Sequence, residues 1–113
     1  MMTDLFTGSI GNTFTAAKPM RIEGTRLIIS GDEGGIFFAP LDEAENPVSD
    51  ETQWIKVEEN QIIRNLSKIL EFFLPETLVV GTSYRIVLKT NYAGKSQKKN
   101  YSKSVSPIVT IVD

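Results

Sequence analysis

The chain has 113 residues, 41% of them apolar and 23% charged, with a formal net charge of −2, the size and make-up of one globular domain and too apolar for a disordered segment. It contains no cysteine and no histidine, which excludes disulfides, thiolate metal sites, cysteine nucleophiles, a Ser-His-Asp triad and the commonest general acid–base group. No apolar run approaches the ~18 residues of a membrane-spanning helix, and "MMTDLFTGSIGNTFTAAK" lacks the basic-then-apolar order of a signal peptide.

In chain order, "MRIEGTRLIIS" (20–30) reads as a strand rich in β-branched residues and interrupted at Gly24. "GGIFFAPL" (34–41) is a short apolar strand entered through glycines, and "TQWIKVEEN" (52–60) reads as the next strand. "QIIRN" and "SKILEFFLP" follow, with a turn at Asn65–Ser67. Ile62, Leu66, Ile69 and Leu70 also fit a helical spacing, but the β-branched pair Ile62–Ile63 and the ending "EFFLP" favour two strands. In "TSYRIVLKTNY" (82–92), Tyr84, Ile86 and Leu88 alternate with Arg85, Val87 and Lys89, the period of a strand with one buried face. "SPIVTIVD" (106–113) sets Ile108, Thr110 and Val112 against Val109 and Ile111. "SGDEGG", "AENPVSDE", "PETLVVGTS" and "NYAGKSQ" supply the turns.

About seven short strands in one domain, residues 1–113, predict an all-β antiparallel β-sandwich. The missing cysteine pair leaves an immunoglobulin-like topology open. The expected core is Ile28, Ile36, Phe38, Trp54, Ile69, Phe72, Leu74, Tyr84, Ile86, Leu88, Ile108 and Val112.

Few residues offer chemistry. "GDEGG" (31–35) has the glycines of a phosphate-binding turn but no G-K-[ST] and no following helix, so it reads as a tight inter-strand turn. Asp42, Glu43, Glu45, Asp50 and Glu51 are hard oxygen ligands in one loop, but the alternating calcium-loop pattern is absent, and a solvated loop is the default. Glu58 and Glu59 are neighbours, which on a strand point to opposite faces and cannot act as a glycosidase pair. No cofactor is expected, and no catalysis.

Charge is divided unevenly. Residues 1–76 carry thirteen acids and six bases, whereas residues 77–113 carry one acid and six bases. The stretch from Tyr84 to Val105 has six Lys or Arg and no acid. Lys89, Lys95, Lys98, Lys99 and Lys103, with Tyr92 and Tyr101 interleaved, are the candidate contacts to nucleic acid or to a partner. Lysines neutralise phosphates and bring non-specific, salt-dependent affinity, while no groove-reading helix or arginine pattern is present to read bases. The competing reading is a hydrated connection whose lysines discourage edge-to-edge aggregation.

Several phrases share a pattern: Thr7–Gly8, Gly24 with Leu27 and Ile29, Gly31–Asp32, Gly35 with Phe37, Asn65, Pro75, Leu78, Gly81, Tyr84, Ile86, Leu88, Thr90 and Tyr92. The pattern resembles the immunoglobulin-like C-terminal domain that follows an HU-like DNA-binding domain in a family of bacterial proteins. It covers most of the chain from residue 4 onward and specifies a domain type rather than a site. The resemblance implies an immunoglobulin-like sandwich acting as a non-catalytic accessory module. Its partner would be a protein or the HU-like domain, with weak non-specific DNA contact, in the cytoplasm at the nucleoid. Two departures stand out. "SQKKNYSKSV" replaces the family's Leu-Lys-x-Pro-Arg-like stretch, and these 113 residues hold no HU-like segment, as expected of an excised domain or a stand-alone relative. The alternative is an exported module binding carbohydrate or a cell-surface partner, with its aromatics as stacking platforms.

Overall fold

The alternation of Tyr84, Ile86 and Leu88 becomes the inner face of the central strand of a five-stranded sheet. The computed structural model describes residues 1–93 and 96–113, with side chains described outside 93–99. Among them nine strands form two sheets: β1 (Met2–Asp4), β2 (Thr13–Thr15), β3 (Pro19–Glu23), β4 (Gly35–Pro40), β5 (Ile55–Lys56), β6 (Ile62–Asn65), β7 (Ile69–Phe73), β8 (Ser83–Ala93) and β9 (Ser96–Val112). One sheet has the order β1-β3-β7-β6 and the other β2-β9-β8-β4-β5. These correspond to the ABED and CFG sheets of an immunoglobulin-like sandwich, the second widened at both edges. Every pairing is antiparallel except β2 on β9, which runs parallel over Thr110–Val112.

Phe14, Met20, Ile36, Phe38, Leu70, Phe72, Ile86, Val109 and Ile111 are fully buried between the sheets. Phe38 meets Phe72 and Tyr84 edge-on, with ring centroids 6.3 and 6.2 Å apart, the favoured aromatic geometry. Each fully buried phenylalanine or leucine contributes roughly 1.5–3 kcal/mol of transfer free energy.

The turn between β6 and β7 lies where the sequence puts it, closed by the Leu66 amide donating to the Ile69 carbonyl at 3.0 Å. Other expectations need correction. Strand pairing after Gly24 stops, and 24–30 crosses from one sheet to the other. Asn65 holds this crossing by exchanging two 2.8 Å hydrogen bonds with the backbone of Ile29. The 52–60 segment keeps only Ile55–Lys56 as strand, flanked by 3-10 turns at Glu51–Gln53 and Glu59–Gln61. Ile28, Trp54, Ile69, Leu88, Ile108 and Val112 are half-buried rather than core. On β9 both alternating sets are apolar, so the pattern cannot choose a face. The register Tyr84↔Val109 chooses it and turns Val109 and Ile111 inward.

At Ser106–Pro107 the β8–β9 ladder bulges. Proline has no amide to donate. The Ser106 hydroxyl accepts the Ile86 amide at 2.8 Å instead, and Arg85 Nη1 donates to the Ser106 carbonyl at 2.9 Å. The strand therefore changes course here without stranding a buried polar group.

Candidate functional site

The two longest strands outrun their neighbours. β4 pairs with β8 only as far as Gly35↔Lys89, and β2 meets β9 only from Thr110. Pairing between β8 and β9 continues to Ala93↔Ser96. Beyond Lys89 the hairpin is a two-stranded ribbon, and its sequence from 91 to 102 carries three lysines and no acid.

The 30–33 loop braces the base of the ribbon. The Ser30 amide donates to Thr90 Oγ1 at 3.0 Å, the Asn91 amide to the Ser30 carbonyl at 3.2 Å, and the Glu33 amide to the Tyr101 hydroxyl at 3.0 Å. Tyr101 lies directly over Gly31, where a built Cβ would sit 2.2 Å from the tyrosine oxygen. Gly31 also has φ of +96°, a conformation that favours glycine. The "GDEGG" segment is thus an inter-strand turn with two of its amides already engaged, Glu33 to Tyr101 and Gly34 to the Gly31 carbonyl.

Lys89 and Lys103 are register partners on the outer face of the sheet. Like charges directly opposite one another are destabilising. Glu51 resolves the conflict: Lys89 Nζ lies 3.1 Å from its Oε1, and Lys103 Nζ pairs with its Oε2. Hydrogen bonds from Lys103 and then Lys89 hold the Glu51 carboxyl below the usual carboxylate range, against a smaller opposing effect of burial. The 3-10 turn that presents Glu51 begins at Asp50, whose side chain accepts the Thr52 amide at 3.1 Å.

Aromatic rings floor this cluster. The Lys89 ammonium lies 5.6 Å from the Tyr101 ring centroid, and Lys103 lies 5.4 Å from that of Trp54, both within cation–π range. Trp54 meets Phe37 edge-on at 5.7 Å and donates its Nε1 hydrogen to the Val48 carbonyl at 2.8 Å. Trp54 therefore sits outside the core, clamped beneath a lysine.

Of the expected contact residues, Lys89, Tyr101 and Lys103 are brought together. Tyr92 is half-buried on the ribbon, paired in register with Gln97, and stands apart from the cluster. Lys95 lies outside the described residues, as do the side chains of Lys98 and Lys99. Glu51, Trp54 and Phe37 join the cluster without being anticipated. Glu51 lies 38 and 52 residues from its two lysines, so no local spacing could announce the contact.

The acidic loop has its own local work. Asp42 Oδ1 accepts the amides of Ala44 and Asn46 at 2.9 and 3.0 Å. Among the described residues no three His, Cys, Asp or Glu side chains gather as a metal shell, and no helix is long and apolar enough to cross a membrane.

No curated protein matches the chain. A crystal structure of a candidate bacterial DNA-binding protein from Bacteroides vulgatus shares its fold, with a TM-score of 0.80 at 20% identity over 97% of this chain. The chain spans 44% of that longer protein. Residues 1–104 match a family described as a domain of unknown function with an IG-like fold (DUF4469), and the chain belongs to that family.

Proposed function

We propose that this domain is a non-catalytic interaction module, an accessory to an HU-like DNA-binding domain, whose β8–β9 ribbon makes weak, non-specific contacts with duplex phosphates. One observation carries the reading: the ribbon outruns β4 and β2 and concentrates lysines where the chain has no acids. A two-stranded ribbon is of a size that the major groove admits. Lysines without arginines suit phosphate contact rather than base reading. The likeness to the candidate DNA-binding protein from B. vulgatus supports the same direction. The reading places the domain at the nucleoid, with no cofactor.

Lys89 and Lys103 already share Glu51, so Lys95, Lys98 and Lys99 carry most of the contact. Three neutralised phosphates give a slope of log K against log salt of about −3. Affinity for a fluorescent duplex then falls roughly 40-fold between about 50 and 200 mM salt. A salt-independent affinity, or none at low salt, contradicts the reading.

A further inference from the structure

Residues 41–54, between β4 and β5, carry five acids, Asp42, Glu43, Glu45, Asp50 and Glu51, and no base. The segment lies along the outer face of the five-stranded sheet and touches three cations of β8 and β9. Arg85 Nε donates to the Glu45 carbonyl at 2.7 Å, while its Nη1 reaches the Ser106 carbonyl on β9. Glu51 holds Lys89 and Lys103. Arg85 and Lys89 share one phase of β8, so these contacts cover one face at the root of the ribbon. Trp54 closes the segment, with its indole N–H on the Val48 carbonyl and its ring beneath Lys103.

None of residues 41–54 is buried. A segment with so few buried apolar contacts opens locally, at a small fraction of the cost of global unfolding. Its ionic ties are weak as well. The Glu51 and Lys103 side chains are 40% and 43% exposed, and ion pairs this open to water contribute little. The segment can therefore lift while β4 and β5 stay paired at Phe37 and Phe38.

Closed, the segment withdraws Arg85, Lys89 and Lys103 from an approaching phosphate. Open, the same cations extend the basic ribbon onto the sheet. We propose that residues 41–54 are an autoinhibitory strap, which confines duplex contact to the end of the ribbon until the strap is lifted. The proposal rests on the reading of the ribbon as a phosphate contact and names the regulation of that contact.

The test uses the full chain and two variants. Arg85→Lys keeps the charge but loses the fork that spans Glu45 and Ser106, and Glu51→Gln loosens the other tie. Trp54 is the one tryptophan of the chain, so its fluorescence reports on the strap. Without DNA, each variant should raise acrylamide quenching of Trp54 roughly twofold or more, because the open state gains population. Titrated with a fluorescent duplex at about 50 and 200 mM salt, each should bind a fewfold tighter at the lower salt, with a slope of log K against log salt steeper by about one to two. A melting transition as cooperative as the parent's will show that the fold persists. If Arg85→Lys melts without cooperativity, Glu51→Gln decides alone. Arg85→Lys with the parent's quenching, or with more quenching but the parent's affinity and slope, would overturn the strap. The ribbon reading then stands as long as the parent binds duplex in a salt-dependent way. Duplex binding by neither the parent nor the variants would remove the ribbon reading and the strap together.

Discussion

The amide of Val79 donates to the hydroxyl of Tyr84 at 3.0 Å, closing the corner between β7 and β8. A tyrosine bonded back across this corner is a hallmark of immunoglobulin-like domains, two residues before the position where antibody domains hold their second cysteine. Here that position is Ile86, which is fully buried. Apolar packing of Ile86 and Phe38 stands where a disulfide and tryptophan would otherwise lie. Tyr84→Phe keeps the ring and deletes the bond. It should cost about 1 kcal/mol and lower the melting midpoint by roughly 4–8 °C. An unchanged midpoint would show that the corner bond contributes nothing.

Asp4 ties the first sheet to the second. Its carboxylate is 2% exposed and accepts four hydrogen bonds: from the amides of Phe6 and Thr7 at 2.8 and 3.2 Å, and from the amide and hydroxyl of Thr15 at 2.8 and 2.7 Å. Burial alone raises its pKa, but the bonds from Thr15, Phe6 and Thr7 together outweigh burial and leave the carboxyl below its ordinary value. A depressed carboxyl stabilises the fold above the unfolded value of about 3.9, and that stability is lost as pH falls through the lower folded value. Asp4→Asn turns an amide group toward hydrogen-bond donors and should cost about 1–3 kcal/mol near pH 7. Chemical denaturation from pH 7 down to pH 2 should show this gap narrowing below about pH 4. Parallel curves would contradict the role.

Gly31 and Tyr101 form a steric pair as well as a bracing one. Gly31→Ala strains a positive φ and drives a methyl into the tyrosine ring, so a loss of about 1–3 kcal/mol is expected. Adding Tyr101→Ala removes the clash but not the φ strain. The double variant should lose less than the sum of the single losses. Strict additivity in equilibrium unfolding would mean that the contact is slack.

If the ribbon contacts phosphates as proposed, Glu51, which holds Lys89 and Lys103, competes with them. Glu51→Gln frees both ammonium groups and should raise duplex affinity a fewfold at low salt. The salt slope should steepen by about one to two. Unchanged binding would place those two lysines away from the duplex.

Much of the sandwich was legible because strand periodicity survives where one face is clearly polar. Arg85 and Lys89 fix the orientation of β8, and the turn residues at 65–67 separate β6 from β7. The pattern failed where both faces are apolar. Ile108 against Val109 is decided by pairing with β8, which lies outside any local window, whereas Leu70 shares its phase with Phe72 and Leu74 and is set apart from Ile69 by Glu71, a local signal that the expected core overlooked. β1 and β2, with three residues each, are too short to show a period. The basic character of the ribbon was visible as composition. The single carboxylate shared by Lys89 and Lys103, and the clamping of Trp54 beneath Lys103, arise from tertiary register and left no mark in local spacing.

The basic ribbon as a phosphate contact is tested most directly by Lys98→Glu with Lys99→Glu, titrated beside the unmodified chain against a fluorescent duplex at about 50 and 200 mM salt. Loss of most low-salt affinity in the variant, with a salt slope shallower by about two, is the predicted result. Equal binding of variant and parent, or no binding of either at low salt, would contradict it and return those lysines to the role of a hydrated edge.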